Sequence, residues 1–368
     1  MIKIRSFFLI QLFFFLYFYQ QAYAFPWMVR HGYVNCNSCH FSPSGGGILT
    51  PYGREISGSL LSTWASERES KFAHDLVSTP EWLNLGGDIR AIEIYRNTPQ
   101  VQAYRFLNMQ EDLEAALTYG KFTGVINAGL FMQQPQLRRF YLNYRPSEQL
   151  SVRAGKFRLA YGLMDPDHTT PINRGLGWDE GSETYNAEVA WLGENLNLYL
   201  TLDLGPLNSN SIQQFSEEKG LALRVGVPFT EYFQIGTSYF YGSSTLSKRN
   251  AIGPFLILGF ANHFFLLSEV DYQNIYDSLM SNQTAWMTWN RLDYEFIQGL
   301  HGYLTYGLKR SQFQNASIPS SQSSSWGLGS QWFPRPHFEF DLKWQLQSTP
   351  AFPSQTLHYA TLLFHYYL

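Results

Sequence analysis

The sequence predicts an all-β chain: a transmembrane antiparallel β-barrel of about 16 strands, with a small N-terminal segment plugging its mouth or lumen. Two observations carry this reading. Leu196, Leu198, Leu200, Leu202 and Leu204 alternate with Asn195, Asn197, Tyr199, Thr201 and Asp203, and Phe338, Phe340, Leu342, Trp344 and Leu346 alternate with Glu339, Asp341, Lys343 and Gln345. A period of two is a strand signal, since successive side chains point to opposite faces. Aromatic residues make up 17% of the chain, with 24 Tyr and 29 Phe, yet the mean hydropathy is slightly negative. A barrel in lipid reconciles the two, because it pairs an apolar exterior and aromatic girdles with a polar interior. A soluble β-sandwich is the competing fold.

Taken in order, residues 1–24 read as an export signal. Lys3 and Arg5 form the basic start, Phe7 to Tyr19 is apolar apart from Gln11, and Ala22-Tyr23-Ala24 is an A-x-A cleavage site. The apolar stretch falls short of the roughly 20 residues a membrane-spanning helix needs, which disfavours a retained anchor. The 26 Lys and Arg stand against 29 Asp and Glu, and loss of Lys3 and Arg5 takes the formal net charge from −3 to −5. Such a balance suggests no nucleic-acid partner.

Residues 25–80 hold the only two cysteines, in Cys36-Asn37-Ser38-Cys39-His40. C-x-x-C-H is the attachment sequence of c-type haem: the thiols form thioethers and the histidine becomes an axial ligand. A redox dithiol is the competing reading, but such motifs accompany a βαβ pattern, which is missing. Zinc would need about two further ligands close by, and only His31 is near. One covalent haem c is therefore expected, on Cys36, Cys39 and His40. The sixth ligand stays open among His31, Met28, His74 and, for a haem deep in the lumen, Met164 and His168. A segment this short supports little core of its own, so it should lean on the barrel walls.

Residues 81–368 divide into strands expected to start near 82, 103, 121, 137, 149, 183, 195, 217, 231, 252, 263, 284, 299, 322, 336 and 354. Every second connection is tight, as at Gly120, Pro146-Ser147, Gly193-Glu194 and Gln298-Gly299. Most of the others look longer, for example 205–216, 242–251, 274–283 and 311–321. Short periplasmic turns opposite longer external loops are usual for outer-membrane barrels. Leu362, Phe364, Tyr366 and Leu368 form one apolar face of the last strand, resembling an outer-membrane insertion signal with Leu in place of the usual terminal aromatic.

Two further sites follow from the strand parity. Arg138, Arg139 and Arg153 fall on the fourth and fifth strands, and the alternation of Leu150, Val152 and Ala154 turns Arg153 inward, where it suits a haem propionate or serves as ordinary lumenal charge. The longest connection, Leu159 to Gly181, holds Met164, Asp165, Asp167, His168, Asp179 and Glu180. Asp165, Asp167 and His168 have oxygen and nitrogen donors suited to a divalent metal, making this loop a candidate docking site for external Fe2+; a constriction loop with a turn-forming Asp-Pro-Asp is the plainer reading.

An exported chain with one C-x-x-C-H and a barrel behind it resembles the fused outer-membrane monohaem c-type cytochrome–porins, among them the iron oxidases. It resembles more closely still uncharacterised proteobacterial cytochrome c domain-containing barrel proteins that share the stretch reading RHGYVNCNSCHFSPSGGGILTPYGR here. The resemblance carries over Cys36, Cys39 and His40. It implies an outer-membrane electron carrier, with Fe(II) oxidase activity among the better-known members. The expected partners are a periplasmic c-type cytochrome or other soluble carrier, an extracellular donor or acceptor such as Fe2+, and outer-membrane lipid. The alternative is a porin plugged or gated by its haem segment. No Ser/His/Asp triad, phosphate loop or paired carboxylates point to a hydrolase or transferase.

Overall fold

The structure is a computed structural model that describes residues 28, 33, 35–66, 68–98, 102–131, 133–165, 167, 169–178, 181–206, 217–230, 232–260, 263–278, 281–315, 317–349 and 352–368. The export segment, His31, His168, Asp179 and Glu180 lie outside them. Sixteen antiparallel strands close into one barrel in which each strand pairs with its neighbours in sequence and β16 (Phe352–Tyr367) returns to β1 (Leu83–Asn97). Closure removes every sheet edge, as a strand bundle in lipid requires. Among the described residues no helix is long and apolar enough to cross a membrane.

The period-two signal translates directly into an inside and an outside. On β7 (Asn197–Asp203), Leu200 and Leu202 are 44% and 48% exposed, while Thr201 and Asp203 are 0% and 4% exposed. Tyr104, Phe106, Leu113, Trp286, Trp326, Leu328 and Leu342 continue the apolar exterior around the wall. An apolar surface of this extent is stable only against lipid. The lumen is charged, and several of its buried ions are paired. Arg138 meets Asp112 at 2.7 Å and Glu183 at 3.3 Å, and Arg153 meets Glu188 at 2.7 Å.

Strand starts fall where the alternation begins, with differences at strand ends that leave the apolar band. The stretch expected as a 242–251 loop is the end of β9 (Phe233–Ser243) and the start of β10 (Ser247–Phe260), joined by a turn closed by Ser244 N–H to Ser247 O at 2.8 Å. The 274–283 and 311–321 loops likewise shrink, because β11 (Phe264–Asp277), β12 (Gln283–Ile297), β13 (Leu300–Phe313) and β14 (Ser321–Trp332) extend into them. Beyond lipid both strand faces are polar, so alternation vanishes while the hydrogen-bonded ladder continues. The two long connections that remain are 158–183, between β5 (Leu150–Phe157) and β6 (Thr184–Leu192), and 204–218, between β7 and β8 (Lys219–Thr230).

Described residues of the N-terminal segment pack against side chains of the barrel strands. Ile48 packs with Ala116, Val125, Tyr141 and Phe157 of β2 (Gln102–Tyr119), β3 (Phe122–Phe131), β4 (Gln134–Tyr144) and β5. Across the lumen, Met28, Tyr33, Ile56 and Leu61 pack with Phe255, Ile257, Phe265 and Leu267 of β10 and β11. Each such side chain contributes roughly 1.5–3 kcal/mol when fully buried, so the plug obtains from the barrel the core it lacks by itself. Its far end is tied to the short turns: Gln298 Nε2 donates to Ser59 O and Ser62 O at 3.0 and 2.8 Å, and Thr63 N–H donates to Phe333 O at 2.9 Å.

Candidate functional site

The C-x-x-C-H motif forms one tight turn, with His40 N–H donating to Cys36 O at 3.0 Å. Leu49 bridges back to His40, and Thr50 N–H donates to Cys39 O at 2.9 Å. Thr50 then caps α1 (Pro51–Ile56): its hydroxyl donates to Ser38 O at 2.7 Å and accepts Gly53 N–H at 3.0 Å, with Pro51 in the first turn. Two glycine features are indispensable here. Gly45, Gly46 and Gly47 have φ of +82°, +72° and +68°, and a Cβ on Gly53 would lie 2.3 Å from Cys39 O. A left-handed backbone favours glycine, and this close approach leaves no room for a Cβ.

This scaffold sets the chemistry of His40. Its Nδ1 lies 3.2 Å from Gly47 O. A carbonyl only accepts, so Nδ1 carries the proton and Nε2 carries the lone pair, the arrangement a metal-ligating imidazole needs. Burial pushes the ring's pKa down to about 4, against the pull of the Gly47 bond, so the imidazole is neutral at neutral pH. Cys36 and Cys39 are unbridged thiols. Burial pushes them up to about 11 and about 12, so neither is the accessible thiolate that a redox dithiol uses.

His40 and Cys36 face a lumenal cavity of about 400 Å³, within the size range of small-molecule and cofactor sites. Its lining includes Gly45 to Leu49, Tyr141, Phe157, Arg139, Arg153 and Arg224, with the carboxylates of Glu114, Asp165 and Asp167. Apolar side chains together with the arginines among this lining suit a flat apolar macrocycle that carries carboxylates.

Arg153 points inward as its strand parity predicts, but its donors have specific uses. Nε pairs with Glu188, Nη1 donates to Ser42 at 3.0 Å and Nη2 donates to Ser44 at 2.8 Å. Its guanidinium stacks 3.8 Å above the Phe157 ring. Arg153 therefore positions the turn after the motif. Arg139 stands closer to the triglycine, since a Cβ on Gly47 would meet its Nη1 at 3.0 Å.

The structure also sorts the axial-ligand candidates. His74 Nε2 lies 3.0 Å from Tyr366 Oη and its ring meets His337 edge-on, away from the cavity lining. Met28 is buried in the apolar cluster described above. Met164 lines the cavity.

The long connection 158–183 folds into the lumen and carries α2 (Pro171–Leu176). Leu159, Tyr161, Ile172, Leu176 and Trp178 pack with Phe240, Met287 and Trp289 of the wall. Tyr161 and Trp178 ring centroids lie 4.5 Å apart, and Trp178 and Phe240 lie 4.7 Å apart. The Asp-Pro-Asp carboxylates are engaged within this architecture. Asp165 accepts from Trp289 Nε1 at 3.1 Å and from Asp167 N–H at 2.7 Å, while Asp167 accepts from Thr169 and pairs with Lys343 at 2.7 Å. The oxygens of Asp165 and Asp167 are thus engaged by Trp289, Lys343 and the loop's own groups, and His168, the third residue of the candidate Fe2+ site, lies outside the described residues. Among the described residues no group of three His, Cys, Asp or Glu is arranged to hold a metal ion.

The Asp167–Lys343 pair has a pH signature. Burial alone would raise Asp167, but the Lys343 ammonium overrides it and holds the carboxyl below its ordinary value. A depressed folded-state pKa contributes stability that is present above the unfolded value and lost as pH falls through the folded one. The stability gap between wild type and Asp167→Asn should be full above about pH 5 and should close on acidification; a gap unchanged down to pH 2 would remove the assignment.

Arg224, Tyr199 and Glu114 are cavity residues that sequence reading did not single out. All three follow the strand alternation as inward residues, but parity alone does not say which inward positions face the motif.

No family model matches this sequence, and no curated protein matches it. Solved structures do resemble it. A loop-deletion mutant of OmpT, an outer-membrane protein of Vibrio cholerae, has a TM-score of 0.64 at 8% identity, covering 78% of this chain and 99% of its own. The anion-selective porin of Comamonas acidovorans has a TM-score of 0.59 at 9% identity, covering 78% and 99%. The outer-membrane channel DcaP of Acinetobacter baumannii has a TM-score of 0.58 at 11% identity, covering 78% and 97%. The chain has the porin fold.

Proposed function

We propose that this protein is an outer-membrane porin-type barrel, exported through the Sec pathway, whose lumen holds one haem c on Cys36 and Cys39 with His40 as its proximal ligand. The observation that carries the reading is the His40 ring, locked by Gly47 so that Nε2 bears the lone pair, on the same cavity wall as Cys36. When bound, the haem supplies a one-electron Fe(III)/Fe(II) couple. The chain's own residues then hold and insulate it. Gly45 to Leu49 line the site, Arg139, itself paired with Glu183 at 3.5 Å, would be a propionate partner, Arg153 fixes the turn, and the cluster around Tyr161, Trp178 and Trp289 excludes water from the loop side.

Function follows as electron transfer across the outer membrane. The plug is tied to the short turns, which face the periplasm in such barrels, where a c-type cytochrome or another soluble carrier would dock. The loop side would meet an extracellular donor or acceptor, Fe2+ among them. A cofactor in mid-lumen divides an apolar band about 25 Å tall into shorter steps.

The second reading is a solute channel plugged or gated by the N-terminal segment. The comparisons favour it, since the porin from Comamonas acidovorans and the channel from Acinetobacter baumannii are channels by name. The plug and the inward loop argue for a closed lumen.

One experiment separates them. The full-length protein, solubilised in detergent and kept anaerobic, is followed by visible absorption before and after Fe(II), and its single-channel conductance is recorded in both redox states. A c-type spectrum reduced by Fe(II) with no conductance supports the conduit. A conductance that follows the redox state supports the gate, and a protein without covalent haem removes both haem readings.

A further inference from the structure

The connection 158–183 delivers one thioether to the cavity that His40 faces. We propose that Met164 Sδ is the second axial ligand of the haem iron. This inference rests on the haem reading above and adds to it a ligand from the barrel, outside the haem segment.

Three observations support the assignment. Met164 lines the cavity shared by Cys36 and His40. Its backbone is left-handed, with φ of +57°, a conformation that non-glycine residues adopt chiefly where surrounding structure enforces it and where function uses it.

The enforcement is visible on both sides. Arg224 Nε donates to Gly162 O at 2.7 Å, Gly162 N–H donates to Ser238 at 2.9 Å, and Leu163 N–H donates to Glu269 at 2.9 Å. After Met164, Asp165 Oδ2 is held by Trp289 and Asp165 O accepts from Asn173 Nδ2 at 3.0 Å. Side chains from β8, β9, β11 and β12 thus grip the residues flanking Met164. The loop tip is preorganised before any ligand arrives.

The third observation is proximity to the motif. Met164 packs against a cluster that contains Tyr199, and Tyr199 Oη donates to Pro43 O at 3.0 Å, three residues beyond His40. Cys36 packs against the cluster that contains Leu163. Consecutive loop residues therefore belong to two clusters that each touch the segment around the motif.

The other donors on the cavity wall are less suited. His365 has Nδ1 at 2.7 Å from Glu339 and Nε2 at 3.1 Å from Asp88. Met109 lies on β2 beside a bulge in its pairing with β1, where no inward loop brings it to the motif.

A thioether is a soft ligand, and His/Met ligation raises the potential of a haem c relative to two imidazoles. It also couples the haem to the constriction loop, so the iron would hold plug and loop together across the lumen.

The test uses full-length protein in detergent, as wild type, Met164→Leu, Met164→His and Met109→Leu. Leucine conserves volume and should fold; histidine keeps a donor at the same place. The inference expects the sulfur-to-iron charge-transfer band in ferric wild type, its loss in Met164→Leu with covalent haem retained, and its persistence in Met109→Leu. Met164→His should give a low-spin spectrum with a lower potential than wild type. A wild-type spectrum without that band, a band unchanged in Met164→Leu, or a band lost only in Met109→Leu overturns the inference and leaves the haem standing. A wild-type protein with no covalent haem overturns the reading beneath it.

Discussion

Replacing Cys36 and Cys39 together by serine should yield a folded barrel with no covalently bound haem, a complete loss. The two thiols are the only ones in the chain, so no other position can form a thioether. Folding should survive, because the wall is a continuous antiparallel ladder in which neither cysteine takes part. The plug keeps its other anchors, including Ile48 in its cluster and Thr63 on Phe333 O. The measurement is haem absorbance that persists through denaturing electrophoresis, read beside the heat-dependent mobility shift of a folded barrel. Wild type should show both, and the double variant only the second. Equal covalent haem in both proteins would remove the role assigned to the motif.

The barrel was legible because lipid imposes a simple rule on sequence. Leu200 and Leu202 face outward and Thr201 and Asp203 inward on β7, and the leucine ladder alone predicts it. The rule ends where lipid ends: Ser243 and Ser247, at facing strand ends above the band, read as loop although the ladder reaches them. Cross-lumen contacts are a different kind of information. That Arg153 points inward follows from its neighbours, but its partnership with Ser42 and Ser44, more than a hundred residues away in sequence, depends on how a plug settles in a closed space. Asp165 and Asp167 show the same limit from the other direction. Two carboxylates and a nearby imidazole in a long loop match a metal site by composition, yet Trp289 and Lys343, from β12 and β15 (Phe338–Thr349), supply partners that no local pattern reveals. That the motif folds as a tight turn is not written in the sequence, and the roles of Gly47, a left-handed backbone and a carbonyl 3.2 Å from His40 Nδ1, needed three dimensions.

Arg153→Ala should be strongly damaging, with a loss of about 3–5 kcal/mol in barrel stability. The pair it forms with Glu188 is deeply buried, the two residues being 2% exposed each, and they stand directly opposite one another in the β5–β6 register. Removing the guanidinium leaves the Glu188 carboxylate with the Thr201 hydroxyl, at 2.8 Å, as its remaining described hydrogen-bond donor, and an uncompensated buried charge costs far more than the pair contributes. Ser42 and Ser44 each lose a charged donor as well, and hydrogen bonds to charged groups are worth roughly 1.5–3 kcal/mol. The double variant Arg153→Met, Glu188→Gln separates these two effects. It removes the stranded charge and should recover most of the stability, because apolar replacement of a buried pair is often near neutral. It cannot restore the bonds to Ser42 and Ser44, so the turn after the motif should stay loose. Unfolding in denaturant reads the first effect, and protease cleavage between residues 35 and 66 reads the second. A double variant as unstable as Arg153→Ala would mean that packing on Phe157, 3.8 Å beneath the guanidinium, matters more than charge. A double variant as protease-resistant as wild type would mean that the plug is held by its apolar clusters alone.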